Sequence, residues 1–510
     1  MNIPPGLPAA PVASPPAPAT RLHRRLAASL LVLAGLAATG PFASPLRAAA
    51  TFRAGAHAED VSPTRFPAPV NGGLKARFAD DIHDPMHARV LAVSDGRHEI
   101  IFCVVDTCLI PRGICEQAKE IASGRTGVPR SQILISATHT HSAAAMTPAF
   151  QSDPDPEYVA SLPARIAAGL IRAHENMEPA EIGWAFGSDP SQVFNRRWFM
   201  KTGKSYENPF GSRGDRARMN PGHQNPDISI PTGPIDPEVA ILAVRSAADQ
   251  RPLGVLANYS LHYVGGHPAV SADYYAAFAN DIGRRLGAGD VRYRGKPAFV
   301  GIMSNGTSGN INNNDIRRPS TYRLKGPDRI AATARSVADA ALEAYATIEW
   351  SATAPLDSIE EDLTLGVRKA SPSELARARE ILATTPKGPD GQWGDRRAVY
   401  AREAIKLADY PDTVPAKIQV HRIGALSIAA SPCEVFVEIG LELKKTTPFT
   451  RHFTIGLANG YNGYLPTPEH HALGGYETWR ARSSYLETQA SVKITDRLQA
   501  MLATLADRAR

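Results

Sequence analysis

The chain has 510 residues, of which 43% are hydrophobic and 21% are charged. This composition excludes an intrinsically disordered protein, and the length suits one large domain or two to three ordinary ones. Lysine and arginine total 56 against 50 acidic residues, and the resulting net charge of +6 would suit a nucleic-acid partner if it were spread along the chain.

Most of that charge lies in residues 1–50, which contain four arginines and no acidic residue. The remaining 52 basic and 50 acidic residues differ by only +2, so we expect no nucleic-acid partner. The same segment contains a 13-residue apolar run, Leu26–Ala38, and then Ala48-Ala49-Ala50. A run shorter than the roughly 20 residues of a membrane span, between arginines and small residues, predicts a signal peptide and an exported, periplasmic or secreted protein. A retained N-terminal anchor is the alternative.

From residue 51 onward, short apolar runs alternate with amphipathic patterns of helical period, which predicts an α/β fold. The predicted strands are Ala88–Val93, Ile100–Asp106, Ile133–Ala137, Ile182–Phe186, Val239–Val244, Gly254–Asn258, Ala298–Met303, Ile418–Ile423, Leu426–Ala430 and Phe453–Leu457. The predicted helices are Glu157–Asn176, Tyr274–Leu286, Asp328–Ile348, Pro372–Ala383 and Ser491–Ala506. Because no Pro/Ser-rich hinge divides residues 51–510, we expect them to form one large domain.

Two polar segments interrupt this alternation, Trp198–Pro237 and Asn310–Pro327. Both are rich in Asn and Arg, and we interpret them as long loops of the kind that often carry function. The four cysteines are few and lack CxxC spacing, which favours buried thiols over a disulfide framework or a zinc-cysteine site.

The strongest local motif is Thr138-His139-Thr140-His141-Ser142, which follows the apolar run Ile133–Ala137. Alternate residues of an extended strand face the same side, so His139 and His141 can point into one site. Imidazole nitrogens are common zinc ligands. The motif indicates a metal site or, alternatively, a hydrogen-bonded histidine pair.

Three further segments could complete such a site. His262 ends the segment Asn258-Tyr259-Ser260-Leu261-His262, which continues the predicted strand Gly254–Asn258, and Glu434 follows Leu426–Ala430 at the start of a helix-like stretch. Ser308 lies in the glycine-rich turn that follows Ala298–Met303, where backbone N–H groups could assist a nucleophile or an oxyanion. Taken separately, a histidine near a turn, an acid paired with a helix dipole and ordinary turn chemistry explain these residues about as well.

Taken together, these motifs resemble the neutral/alkaline ceramidase family. The shared features, in chain order, are Thr138–Ser142, Asn195-Arg196, His262, Ser308-Gly309-Asn310, Glu434, the run Ala458–Thr467 and Tyr476-Glu477. The resemblance extends from about Phe52 to the end of the chain. It implies mixed β-sheets layered with α-helices in one large catalytic domain, without the C-terminal immunoglobulin-like domain of the established ceramidases.

The resemblance also implies residue roles. One zinc ion per chain would be bound by His139, His262, Glu434 and Tyr464. The implied catalytic residues are His141, Arg196, Tyr476 and Ser308. His141 would transfer protons, Arg196 and Tyr476 would polarise the substrate carbonyl, and Ser308 would occupy the family's catalytic serine position. Zinc can activate water for attack on an amide, and the lack of a general-base motif around Ser308 favours this route over a serine nucleophile.

Some segments depart from the family's pattern. Gly306-Thr307-Ser308-Gly309-Asn310 stands where the family has Gly-Asp-x-Ser-Pro-Asn, and His262-Tyr263-Val264-Gly265-Gly266 replaces His-Pro-Thr-Ser-Met. The implied metal ligands are therefore better retained than the substrate contacts. The expected activity is hydrolysis of an N-acyl bond, in ceramide or a related acylated lipid, with transient contact to a membrane surface. Alternatives are a zinc esterase or amidase for another acylated substrate, or a catalytically silent periplasmic binding protein.

Overall fold

A computed structural model describes residues 51–322 and 324–509. The leader predicted at residues 1–50 lies outside the described residues and stays a prediction. The described residues contain one mixed sheet of eight strands and a smaller sheet of four. In spatial order, the large sheet comprises Val300–Asn305, Pro252–Tyr259, Glu238–Ser246, Glu178–Ser188, Arg53–Asp60, His87–Ser94, Glu99–Val105 and Ile133–Ala137. The small sheet comprises Leu356–Gly366, Thr413–Ile423, Leu426–Ala430 and Arg451–Ile455.

The two sheets face each other, and helices cover both outer faces. Alternating residues explain this layering: Ile133 and Ile135 face the outer helices, whereas Leu134 faces the small sheet. The α-helices of the described residues are Arg112–Thr126, Pro156–Glu175, Asp273–Arg285, Gly326–Tyr345, Pro372–Thr384, Arg396–Ala408, Val437–Thr446, Pro468–Leu473 and Ala490–Asp507. The predicted α/β class and the layered mixed sheets are confirmed.

All ten predicted strands and all five predicted helices are present, with ends shifted by a few residues. The structure adds the strands Arg53–Asp60 and Leu356–Gly366 and the helices Arg112–Thr126 and Arg396–Ala408, which were not predicted. The segment interpreted as one long loop after Trp198 instead contributes to a three-stranded sheet. Its strands are Ala217–Met219, Arg197–Met200 and Ile228–Pro231.

Shorter strand pairs complete the fold. These are Ala68–Val70 with Arg77–Ala79, Phe194–Asn195 with Ile311–Asn312, and Glu434–Val435 with Tyr464–Leu465. The four cysteines are buried free thiols, as predicted. Across residues 51–322 and 324–509, no helix combines the length and hydropathy that crossing a bilayer requires.

The small sheet buries two histidines, and these make stability depend on pH. Burial, assisted by the positive charge of Lys119, lowers the pKa of His421 from 6.5 to about 3. Burial, assisted by Lys444, lowers the pKa of His452 to about 3 as well. Below pH 6.5 the unfolded chain therefore binds protons that the folded chain excludes, and stability falls as pH falls toward 3. Each histidine should cost about 1.4 kcal/mol per pH unit in this window.

Urea unfolding between pH 7 and pH 4 tests this prediction. The double variant His421→Gln/His452→Gln should give a flatter dependence of unfolding free energy on pH, whatever its stability at pH 7. Equal slopes for the variant and the unmodified protein would contradict it.

Candidate metal centre

The predicted site lies where opposite edges of the large sheet approach each other. Ile133–Ala137 forms one edge strand and Val300–Asn305 the other. The amide of Asn305 donates to the carbonyl of Thr138 at 3.0 Å, which joins the two edges. Between them runs the segment 456–459: the N–H of Gly456 donates to the carbonyl of Asn305, and that of Ala137 donates to the carbonyl of Leu457.

This approach of the edges brings distant histidines together. His139 follows the first edge strand and has a positive φ of 73°. His262 follows Pro252–Tyr259, the neighbour of the other edge strand. The Nε2 atoms of His139 and His262 are 3.1 Å apart, and those of His139 and His141 are 3.3 Å apart. The carboxylate Oε2 of Glu434 lies 3.1 Å from Nε2 of His139.

Backbone carbonyls assign the protons of two of these rings. Nδ1 of His139 lies 2.8 Å from the carbonyl of Cys108, and Nδ1 of His262 lies 3.3 Å from that of Ser308. Because a carbonyl only accepts, each Nδ1 is the donor, and each neutral ring presents an Nε2 lone pair to the centre.

The centre therefore concentrates acceptor atoms. Oε1 of Glu434 accepts from the hydroxyl of Tyr461 at 3.0 Å, whereas the buried Oε2 faces Nε2 of His139, which is a donor only when that ring is protonated. Lone pairs packed this closely repel each other unless a cation lies between them. Ligand atoms 2.0–2.1 Å from a tetrahedral zinc are themselves about 3.3 Å apart. The spacing and chemistry of His139, His262 and Glu434 thus fit a zinc ion.

The pKa values of the histidines lead to the same conclusion. Burial alone would lower the pKa of His139, but the carboxylate of Glu434 raises it well above 6.5. Burial, with the positive charges of Arg196 and a protonated His139, lowers the pKa values of His141 and His262. The cluster thus favours one positive charge, which a proton or a metal ion can supply.

The fourth predicted ligand, Tyr464, pairs with Glu434 in the short parallel strand pair. Its hydroxyl accepts from Nη2 of Arg196 at 3.1 Å, and Nη1 of the same arginine lies 3.4 Å from Nε2 of His262. Burial and the charge of Glu434 raise the pKa of Tyr464 well above 10, although Arg196 opposes this. Three predicted ligands converge directly, and Tyr464 adjoins them through Arg196.

A buried carboxylate that was not assigned a role holds Arg196 in place. Glu477 accepts from Nε of Arg196 at 3.0 Å and from Nη1 of Arg197 at 2.6 Å. Burial raises the pKa of Glu477, but the two guanidinium groups outweigh this and lower it below 4.5. Glu477 directly follows Tyr476 in the Tyr476-Glu477 motif that the chain shares with the ceramidase family, and this position could have identified it as a site residue. Tyr461, which donates to Glu434, lies in the run Ala458–Thr467 and was missed similarly.

Ser308 lies beside the cluster, but its side chain forms a hydrogen bond away from the histidines and Glu434. Its hydroxyl donates to Oδ1 of Asn305 at 2.7 Å. The amide of Asn305 donates to Thr138 and to the hydroxyl of Tyr275, which fixes Oδ1 toward Ser308. The following glycine is required sterically, because a Cβ at Gly309 would lie 2.5 Å from the carbonyl oxygen of Glu434.

A cavity of about 240 Å³ opens onto the cluster. His139, His141, Glu434, Tyr464 and Tyr476 contribute to its lining, whereas the other predicted site residues are buried beside the cluster. The rings of Tyr464 and Tyr476 meet edge to face, with centroids 5.9 Å apart.

Three residues outside the predicted set also make specific contacts. Cys108 lines the cavity, and its Sγ is 3.8 Å from Nδ1 of His139, so a thiol borders the centre. His470 is buried, and its Nε2 lies 3.0 Å from Oε1 of Glu438. The ring of His83 stacks on that of His267, with ring centroids 4.2 Å apart.

Comparison with known proteins relates this fold to a group of enzymes. No family model and no curated protein matches the sequence. The solved neutral ceramidase from Pseudomonas aeruginosa matches with a TM-score of 0.67 and 16% identity, over 90% of this chain and 75% of that chain. A ceramidase complexed with C2 matches with a TM-score of 0.66 and 16% identity, over 90% and 76%. The chain has the fold of these ceramidases, as the sequence resemblance implied.

Proposed function

We propose that this protein is an exported, zinc-dependent amidohydrolase that cleaves an N-acyl bond, with ceramide or a related acylated lipid as the substrate that the resemblance suggests. The observation that carries the proposal is the convergence of His139, His262 and Glu434 on one buried point beside a cavity. The ceramidase fold supports a hydrolase independently of these contacts.

Zinc, held by His139, His262 and Glu434 with Tyr464 adjoining, would activate a water molecule and polarise the amide carbonyl. The chain's own groups would do the rest. His141 lines the cavity next to His139, where it can take up a proton and return it to the leaving amine. Arg196, oriented by Glu477, and Tyr476 would stabilise negative charge on the carbonyl oxygen.

Metal analysis combined with hydrolysis assays tests the proposal. Purified protein should contain one zinc per chain, and chelation should abolish hydrolysis of fluorescent N-acyl amides. Matched esters distinguish an esterase of the same fold. Absence of stoichiometric zinc would contradict the metal assignment, and bound zinc without turnover of any amide or ester would favour a silent binding protein.

We expect Ser308→Ala to retain activity, with kcat reduced about tenfold or less. The hydroxyl of Ser308 donates to Asn305, and none of the described histidines or carboxylates bonds to it as a base. The loss of an oxyanion contact alone would cost more, roughly 100-fold. Steady-state kinetics of the zinc-loaded variant measure this directly. Complete loss of turnover with normal zinc content would instead support Ser308 as a nucleophile.

Export and transient membrane contact belong to the same proposal. Cell fractionation and N-terminal sequencing of the mature protein test export, and a mature chain that still begins at residue 1 would favour the anchor. Sedimentation with lipid vesicles tests membrane contact.

A further inference from the structure

The cavity beside the metal cluster has walls of a distinct composition. His139, His141 and Glu434 lie at the cluster, and the remaining wall is built largely from rings and apolar side chains. These wall residues are Leu109, Pro111, Pro148, Phe150, Tyr410 and Tyr485. A substrate group entering the cavity would therefore contact aromatic and aliphatic carbon, with tyrosine hydroxyls at its edges.

Buried ionic contacts make this wall rigid. Arg482 donates to both carboxylate oxygens of Glu403, at 2.8 and 2.7 Å, and both side chains are largely or fully buried. The same guanidinium donates to the carbonyl of Phe150 at 3.0 Å, and Arg402 donates to that carbonyl as well. The ring of Phe150 meets that of Tyr400 edge to face at 5.9 Å. Moving the backbone of Phe150 to widen the cavity would break these buried contacts, whereas removal of its ring would leave the contacts to its carbonyl in place.

The two guanidinium groups at the cavity are not available to bind a charged substrate group. Two guanidinium groups contribute to its lining, and each is already paired with a carboxylate. Arg112 makes a two-point contact with Asp362 at 2.7 and 2.8 Å, and Arg482 makes the contact with Glu403 described above. The group that enters should accordingly be uncharged.

We infer that the substrate is an amide with one small, uncharged substituent, short aliphatic or single-ring aromatic, which this cavity buries. An engineered cavity of about 150 Å³ binds benzene, which has six non-hydrogen atoms, so on this scale the cavity would hold roughly ten. The cavity measures about 240 Å³. This inference rests on the proposed amidohydrolase function and narrows it: we expect at least one of the two groups joined by the amide to be short.

Two substrate series test the size limit on the zinc-loaded protein. One varies the acyl group from acetyl to palmitoyl on a constant fluorescent amine, and the other varies the alkyl amine over the same lengths on a constant acetyl group. In one series, kcat/KM should rise roughly threefold to fourfold per methylene until the substituent has about ten non-hydrogen atoms, and then fall.

Phe150→Gly should move that maximum. Phe150 has a φ of 45°, a conformation that glycine adopts freely, so the variant removes the ring without adding backbone strain. The maximum should shift to longer substituents by roughly four to six atoms, because a benzene ring has six. Phe210→Ala is the matched control. Phe210 also packs on Tyr400, at 5.8 Å, but it lines a different cavity, so the maximum should stay in place.

The outcomes separate this inference from the proposed function. Hydrolysis without a size limit in either series, or long-chain ceramide as the best substrate, would overturn the inference and leave the amidohydrolase proposal intact. A size limit that Phe150→Gly and Phe210→Ala leave equally unchanged would also overturn it. No hydrolysis of any amide would contradict the proposed function, and the inference would fall with it.

Discussion

Replacing His139 by asparagine should remove stoichiometric zinc and all detectable amide hydrolysis. His139 Nε2 lies at the centre of the cluster, 3.1 Å from both His262 Nε2 and Glu434 Oε2. Outer groups that only orient a ligand typically contribute 10–100-fold to metal affinity, so loss of a direct ligand should exceed about 100-fold. Asparagine suits the test because it tolerates the positive φ at this position. Elemental analysis after dialysis measures the zinc content.

His83→Asn is the matched control, because His83 is exposed and stacks only on His267. It should keep both the zinc and the activity. Zinc retained at full stoichiometry in His139→Asn would refute the ligand assignment. Loss of zinc in both variants would indicate a general effect on folding or metal loading.

Replacing Glu477 by glutamine should lower both stability and turnover. Glu477 and Arg197 are fully buried, and Arg196 is 5% exposed, so removal of the shared carboxylate charge leaves two guanidinium groups buried without compensation. Breaking a buried ion pair in this way costs roughly 3 kcal/mol or more of unfolding free energy. Arg196 would also lose the contact that aims it at Tyr464 and His262, and a misplaced catalytic group can cost roughly 100-fold in rate.

Denaturant unfolding measures the first effect, and kcat of the zinc-loaded variant measures the second. Zinc content should be unchanged, since Glu477 positions Arg196 and makes no contact with His139 or Glu434. Glu469→Gln, an exposed acid on the neighbouring helix Pro468–Leu473, should alter neither quantity. A Glu477→Gln protein with normal stability and kcat would show that the buried network is dispensable.

The predictability of the fold depended on how each element presents its apolar residues. Buried strands such as Ile133–Ala137 and Leu426–Ala430 are apolar apart from one serine each, and their predicted bounds match the structure. Leu356–Gly366 was missed because it is an edge strand with four acidic residues, which protect an exposed edge but obscure a strand pattern. The helix Arg112–Thr126 was missed because its buried face consists mostly of small side chains together with Lys119, which gives a weak apolar pattern.

Only part of the site was predicted from the sequence, and there is a physical reason why the other residues were missed. His139 and His141 are separated by one residue, so local spacing sufficed to propose that they act together. Glu477 and Tyr461 act only through contacts with distant residues, at Arg196 and Glu434. Residue type alone does not distinguish a buried carboxylate between two arginines from a solvated one.

The amino-acid sequence by itself determined most of the strands and helices, which residue types are available as metal ligands, and that most of the excess positive charge lies in residues 1–50. It left open whether His139, His262 and Glu434 meet. Only the tertiary structure decided this, because His139 and His262 follow strands near opposite edges of an eight-stranded sheet. The approach of these edges, joined through Asn305, Thr138 and the segment 456–459, brings the two Nε2 atoms to 3.1 Å. Such an approach depends on sheet twist and long-range packing, which local sequence patterns do not encode.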